Sequence, residues 1–326
     1  MNVLSGLKKM RCWFLSKMPR RFNFFRVDLR FAIRNLRHAK SLKLKKASLR
    51  NVFVFIIDPR IKHPGLADRL KAIINAYNIA KYNKYQFKVI FDTPFELDRY
   101  LQPNMVDWKM KREELEMSLL DTKFYNEVSW RNNSRLKSGK QYHCYNYSGN
   151  LIPKIFSGTG YEWTVLFDEL FKPSSLLQDE IDKTGLAKGS YISVHLRFVN
   201  ALENFEQSSK HFQLQDSEKK KLIERCRNGI QKLVESKDEQ VVVFSDSRVF
   251  LDAIQDMPVK TLSHQNIGHI SQDGDSDHVL KTFLDLYVIS RSKEVYSICA
   301  PELYEFSCFA LCAARIGGVL YSRIIV

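Results

Sequence analysis

The chain is 326 residues long, 44% apolar and 27% charged, a balance that fits a folded protein of two domains and excludes disorder, collagen-like repeats and low complexity over most of its length. No run of 18 apolar residues occurs, so no membrane-spanning helix is expected. The formal net charge of +15 is concentrated at one end: residues 1–50 carry 15 of the 51 basic side chains and one of the 36 acids, Asp28, which leaves the remainder close to neutral.

That first segment mixes Trp13, Phe14, Phe22, Phe24, Phe25 and Phe31 with Lys and Arg on a mostly helical pattern. Aromatic rings and cations together suit a bilayer interface, and each cation near an anionic surface adds about 1 kcal/mol. The segment is therefore expected to be a basic amphipathic, membrane-associating arm. A solvated basic extension, or a helix packed on the body, also accounts for it. The neutral body offers no nucleic-acid reading module, so no nucleic-acid partner is expected. Lys8, Lys9, Arg11 and Lys17 interrupt the early apolar residues, so no secretory leader is expected. The six cysteines lack a paired framework, which points to a reducing compartment.

Residues 52–57 form an unbroken apolar run of strand length, expected to be a buried strand. Asp58-Pro59 and His63-Pro64-Gly65 break the chain. Leu66, Leu70, Ile73, Ile74, Tyr77 and Ala80 then follow helical spacing as far as Tyr82, and 88–91 returns as a strand, outlining a βαβ unit. Residues 95–185 read as irregular and surface-forming. Beyond them, strands at 191–196, 240–244, 259–262, 294–299 and 318–325 alternate with helices at 217–235, 248–255, 277–290 and 302–316. Such alternation predicts a parallel sheet covered on both faces.

Ligands on open α/β sheets bind beyond the carboxyl ends of the strands, which directs attention there. His195 and Arg197 stand two residues apart at one such end, hence on one face. An Arg there presents a planar fork to phosphate oxygens; a packed core His with an ion-paired Arg is the plainer reading of the pair alone. Ser245 and Asp246 emerge after an apolar run, where a carboxylate can accept from a ribose or a guanine edge, or where Ser245, Asp246 or Ser247 can cap the next helix. Ser307-Cys308-Phe309 offers a hydroxyl and backbone N–H groups that bind an anion if a helix begins there. The Asp273-Gly274-Asp275-Ser276-Asp277 run is not a calcium loop, because its sixth position is His278 and its twelfth Leu284; it reads as an acidic cap on the following helix. The glycine-rich signatures of NAD enzymes and of P-loop proteins are absent. Glu203 and Glu206 are candidate general bases, or solvated carboxylates.

In this order the pieces resemble the GDP-fucose-dependent fucosyltransferase superfamily, which includes the bacterial nodulation enzymes and the protein O-fucosyltransferases. Pro64-Gly65-Leu66-Ala67-Asp68-Arg69-Leu70-Lys71 is similar to the superfamily's amino-terminal loop and helix, with Ala67 in place of its second Gly. Asp92-Thr93-Pro94-Phe95, Tyr100-Leu101-Gln102-Pro103 and Trp108 fall where relatives often have comparable residues. His195-Leu196-Arg197 resembles the His-x-Arg motif, followed here by Phe198-Val199-Asn200 where many relatives carry an acid. Phe244-Ser245-Asp246 resembles the second motif. Asp285-Leu286, then Ser307-Cys308-Phe309-Ala310, resembles the third.

The resemblance implies an α/β, GT-B architecture of two Rossmann-like domains facing a cleft: after the arm at 1–50, an acceptor-side domain over 51–185 and a nucleotide-sugar domain over 186–326. It implies a metal-independent, inverting glycosyltransferase with no cofactor, using GDP-fucose on a glycan or lipid-linked oligosaccharide acceptor, in the cytoplasm of a bacterium and peripheral at the inner membrane. Arg197 would hold the β-phosphate and stabilise departing GDP, with His195 orienting the motif. Asp246 would contact the guanosine, Ser307 and Phe309 would line the diphosphate and base pocket, and Gly65 with Arg69 would close the cleft. Asn200, Ser245, Asp285 and Cys308 complete the implied donor site. The alternatives are a GT-B transferase for another nucleotide sugar and an inactive relative serving as a membrane-surface binding module.

Overall fold

The computed structural model describes residues 42–43, 50–57, 65–115, 117–118, 121–125, 136–145, 162–203, 214–262, 276–304 and 307–326; most of the basic arm, Glu206, Asp273 and Asp275 lie outside them. The strands that matter below are β1 (Val52–Ile56), β2 (Gln86–Ile90), β3 (Leu101–Pro103), β4 (Thr122–Tyr125), β5 (Gln141–Cys144), β6 (Phe171–Pro173), β7 (Tyr191–Leu196), β8 (Gln240–Ser245), β9 (Lys260–Thr261), β10 (Glu294–Cys299) and β11 (Leu320–Ile325). The helices are α1 (Leu66–Tyr82), α2 (Trp163–Leu170), α3 (Ser175–Lys183), α4 (Asp216–Ser236), α5 (Arg248–Ala253), α6 (Ser276–Ser290) and α7 (Phe309–Gly317). Among the described residues no helix is long and apolar enough to cross a membrane.

The chain divides into two compact units. The first comprises Met1–Ile56, Ile79–Ile90 and Met110–Asn146. Its sheet has the order β2-β1-β5-β4, all parallel. Every residue of β1 is buried, which explains its unbroken apolar run: an inner parallel strand has no solvent face for polar residues. Phe53 stacks on Tyr142 at 6.2 Å and meets Tyr125 edge-on at 5.1 Å.

The second unit comprises Ile57–Asn78, Phe91–Lys109 and Tyr147–Val326. Its five-stranded parallel sheet has the order β9-β8-β7-β10-β11. Counted along the chain this is third, second, first, fourth, fifth, so the order reverses between β7 and β10, the place where open α/β sheets bind their ligands. Ile192, Val194 and Leu196 of β7 join one core with Leu222, Cys226 and Ile230 of α4 and Phe250 of α5. Ser193, His195 and Arg197 alternate with them and belong to the opposite face. Helix α7 ends at Gly318 in the left-handed conformation (φ 65°). A Cβ on Gly317 would stand 1.8 Å from the Ser290 carbonyl oxygen, so α6 and α7 meet there backbone to backbone.

Helix α1 and strands β7 and β10 occur with the bounds their sequence patterns predict. The helix expected over 302–316 begins only at Phe309, because Pro301 lies in a turn closed by the Leu303 N–H donating to the Ala300 carbonyl at 3.0 Å. The stretch read as irregular contains β3, β4, β5, β6, α2 and α3. One signal for these was present: Ser174 caps α3 by accepting from the Leu177 N–H at 3.2 Å.

Candidate functional site

The candidate residues gather mainly where β7 ends beside the order reversal. His195 is inward of that end, paired in register with Phe244 on one side and Ser297 on the other. Its ring lies 5.5 Å from that of Phe309, the first residue of α7. Burial, and after it the Arg197 charge, pushes the His195 pKa down to about 3. The ring is therefore neutral at pH 7 and acts through shape and orientation rather than as a cation.

Arg197 follows the strand. Its side chain keeps 23% exposure, with one guanidinium nitrogen 3.2 Å from Oδ2 of the buried Asp246. Asp246 also accepts the Phe198 N–H at Oδ1 (2.7 Å) and the Val199 N–H at Oδ2 (2.8 Å). Between them, Val199 takes φ 55°, a left-handed conformation rare for a β-branched side chain. Asn200 continues this turn, partly buried. Ser245 Oγ accepts the Ser247 N–H at 3.1 Å. Of the three candidates for capping the next helix, Ser247 does so: its Oγ accepts the Phe250 N–H at 3.2 Å. Ser247 Oγ in turn donates to Glu203 Oε1 at 2.7 Å, so the candidate base Glu203 is tied to the start of α5.

Opposite, Cys308 occupies the N-cap of α7 and makes no side-chain cap bond, with Ser307 just before it. The α7 N–H groups and helix dipole make this end favourable for an anion. Helix α1 reaches the same region, since the Cys312 thiol lies 3.9 Å from the Ala67 carbonyl oxygen. Sequence reading passed over Lys71, which is 2% exposed, paired with Asp68, and close to Cys308 and Cys312. Burial works to lower its pKa, but Asp68 and the two thiols outweigh this and raise it, so Lys71 is a cation. The Asp68–Lys71 spacing of one helical turn was the signal available.

Gly65 precedes α1, and its carbonyl accepts the Arg69 N–H at 3.2 Å. A Cβ on Gly65 would meet nothing within 4 Å, so packing does not demand glycine there. Arg69 is fully buried, its guanidinium carbon 5.5 Å from the Phe95 ring centre and 5.7 Å from that of Phe91. Asp285 pairs with Lys281 at 2.5 Å one turn back on α6; burial raises its pKa against the pull of that lysine. No contact found among the described residues joins Asp285 to the rest of the group. A cavity of about 810 Å³ lies elsewhere, lined by Glu218, Lys221 and Arg225 of α4 and by Glu302, and contains none of the candidate residues.

Strand order, the cation at the end of β7 and the uncapped α7 together describe a site able to receive a phosphorylated ligand. The structure is similar to the crystal structure of fucosyltransferase NodZ from Bradyrhizobium, with a TM-score of 0.55 and 15% identity over 82% of this chain and 93% of that one. The chain has the NodZ fold. That fold is GT-B-like, as the sequence motifs imply. The NodZ α-1,6-fucosyltransferase soaked with GDP-fucose gives a TM-score of 0.53 at 14% identity, over 81% of this chain and 92% of that chain. The form co-crystallised with GDP gives 0.50 at 14% identity, over 82% and 92%. No family model matches the sequence, and no curated protein matches it.

Proposed function

We propose that the chain is an inverting, metal-independent glycosyltransferase that moves fucose from GDP-fucose to a glycan or lipid-linked oligosaccharide acceptor. The observation that carries this reading is the partly open Arg197 guanidinium at the end of β7, beside the order reversal, in a fold similar to structures that hold GDP-fucose and GDP. The acceptor hydroxyl oxygen attacks the sugar carbon as that carbon's bond to the diphosphate oxygen breaks, the hydroxyl proton passes to solvent water, and negative charge builds on the departing GDP. Arg197 and the N-terminus of α7 stabilise that charge without reorganising. His195 packs against Phe309 and holds the region in place. Ser307, Cys308 and Phe309 line the diphosphate and base, with Gly65, Arg69, Asn200 and Ser245 completing the donor site; Asp285, paired with Lys281 on α6, stands apart from it. The basic arm holds the enzyme to an anionic membrane at its cytoplasmic face.

A second reading, a transferase for a different nucleotide sugar, draws on Ala67 and on Phe198-Val199-Asn200, which depart from the superfamily's motifs. A hydrolysis panel of nucleotide sugars, with calorimetry against GDP, UDP and ADP, separates the two. Fastest turnover of GDP-fucose and tightest binding of GDP are expected. Tighter binding of UDP rejects the fucose assignment, and binding of GDP without turnover of any donor favours an inactive relative.

A further inference from the structure

The loop after β7 and the turn after β8 hold one another through two carboxylates, one from each side. From the turn, Asp246 accepts the N–H groups of Phe198 and Val199 and pairs with Arg197. From the loop, Glu203 accepts the Ser247 hydroxyl. Between these ties stands Val199 at φ 55°. A β-branched residue stays in that region only where its surroundings impose it, and both Asp246 amide bonds fall at this residue and its neighbour. A carboxylate has about four acceptor positions; three are committed here, all toward the Arg197 loop, and the side chain is 5% exposed.

We infer that Asp246 is a positioning residue for Arg197: it fixes the left-handed turn at Val199 and aims the guanidinium at the diphosphate, without itself contacting the nucleoside. This rests on the nucleotide-sugar reading and replaces the guanosine contact implied by the resemblance. Glu203 serves as the return tie of the same clamp rather than as a general base.

Full-length wild type, Asp246→Asn, Arg197→Ala and the double variant are titrated with GDP and with guanosine. Asp246→Asn is expected to weaken GDP about tenfold, the scale of one charge-assisted hydrogen bond, while guanosine affinity stays within about twofold. In the Arg197→Ala background the same change is expected to add less than about twofold, because its effect passes through Arg197. Equal weakening of guanosine and GDP, or fully additive losses, overturns the proposal. Amide exchange over residues 197–203 is measured without ligand and rises in Asp246→Asn if the clamp is real; unchanged exchange overturns it. Should wild type bind no nucleotide, the transferase reading fails while the exchange measurement still decides the clamp. Should Asp246→Asn fail to fold, Glu203→Gln reads the same quantities, with smaller shifts in the same directions expected; no change in exchange or in the GDP-to-guanosine ratio counts against the proposal.

Discussion

The two parallel sheets place their polar residues differently. In the first unit, Gln141 and His143 sit inside β5, both fully buried, in register with Val52 and Val54 of the neighbouring strand. In the second, the strands are apolar on the α4 side, and polar groups collect toward the carboxyl ends: His195 near the end of β7 and Arg197 just beyond it, Ser245 as the last residue of β8 and Asp246 just beyond it. At these ends Arg197 and Ser245 keep a solvent-facing side and can meet a ligand, whereas polar groups within a sheet act on stability. Function is therefore expected to respond to the second set and folding to the first.

The sharpest break of that contrast is Arg197→Ala. Under the leaving-group role, donor turnover is expected to fall about 100- to 1000-fold, with little change in melting temperature, because the side chain is partly exposed and its partner Asp246 keeps two backbone donors. Steady-state hydrolysis alongside thermal melting checks this. Undiminished turnover removes the site from the end of β7.

The two buried histidines give the next largest effect, and here both sheets are expected to behave alike. Burial holds His143 and His195 at pKa values of about 3, well below the unfolded value. The unfolded chain therefore takes up the proton first as acidity rises. Their contribution to stability is complete above about pH 6.5 and is lost as pH falls toward 3, at about 1.4 kcal/mol per pH unit for each ring. Unfolding free energies of wild type, His143→Gln and His195→Gln between pH 6.5 and 4 should show a shallower slope in each variant. Slopes parallel to wild type would mean that the rings protonate in place.

Legibility in the sequence follows the same division. Strands β7 and β10 and helix α1 could be read residue for residue because apolar spacing alone specifies them. Strand β5 could not, because Gln141 and His143 occupy buried positions that a hydropathy pattern assigns to loops. Of the candidate site, the strand ends at His195, Arg197 and Asp246 were visible from order and residue type. Which way Asp246 faces was not: the same Ser-Asp-Ser run permits a nucleoside contact, a helix cap or a bond back to the neighbouring loop. Only the three-dimensional course of Phe198 and Val199 selects among these. Lys71 went unread because a lysine in an amphipathic helix ordinarily points to water, and here its charge is matched by Asp68 and buried.

The smallest expected effect tests the first sheet by itself. Gln141 is fully buried, and among the described residues neither its amide nitrogen nor its amide oxygen has a hydrogen-bond partner. Its backbone is well placed, with the N–H donating to the Asp121 carbonyl at 3.0 Å, so the strand does not depend on the side chain. Removing a buried polar group that makes no bond recovers its desolvation cost, whereas removing a bonded one exposes its partner. Gln141→Met keeps the length and approximate volume of the side chain while discarding both polar atoms. The variant is expected to unfold about 1 kcal/mol less readily than wild type, with donor turnover unchanged, since Gln141 lies in the unit that contributes none of the strand-end groups. Chemical denaturation at constant slope measures the gain. A loss of stability would mean that the amide has a bound water as its partner, and that the polar interior of the first sheet is built rather than tolerated.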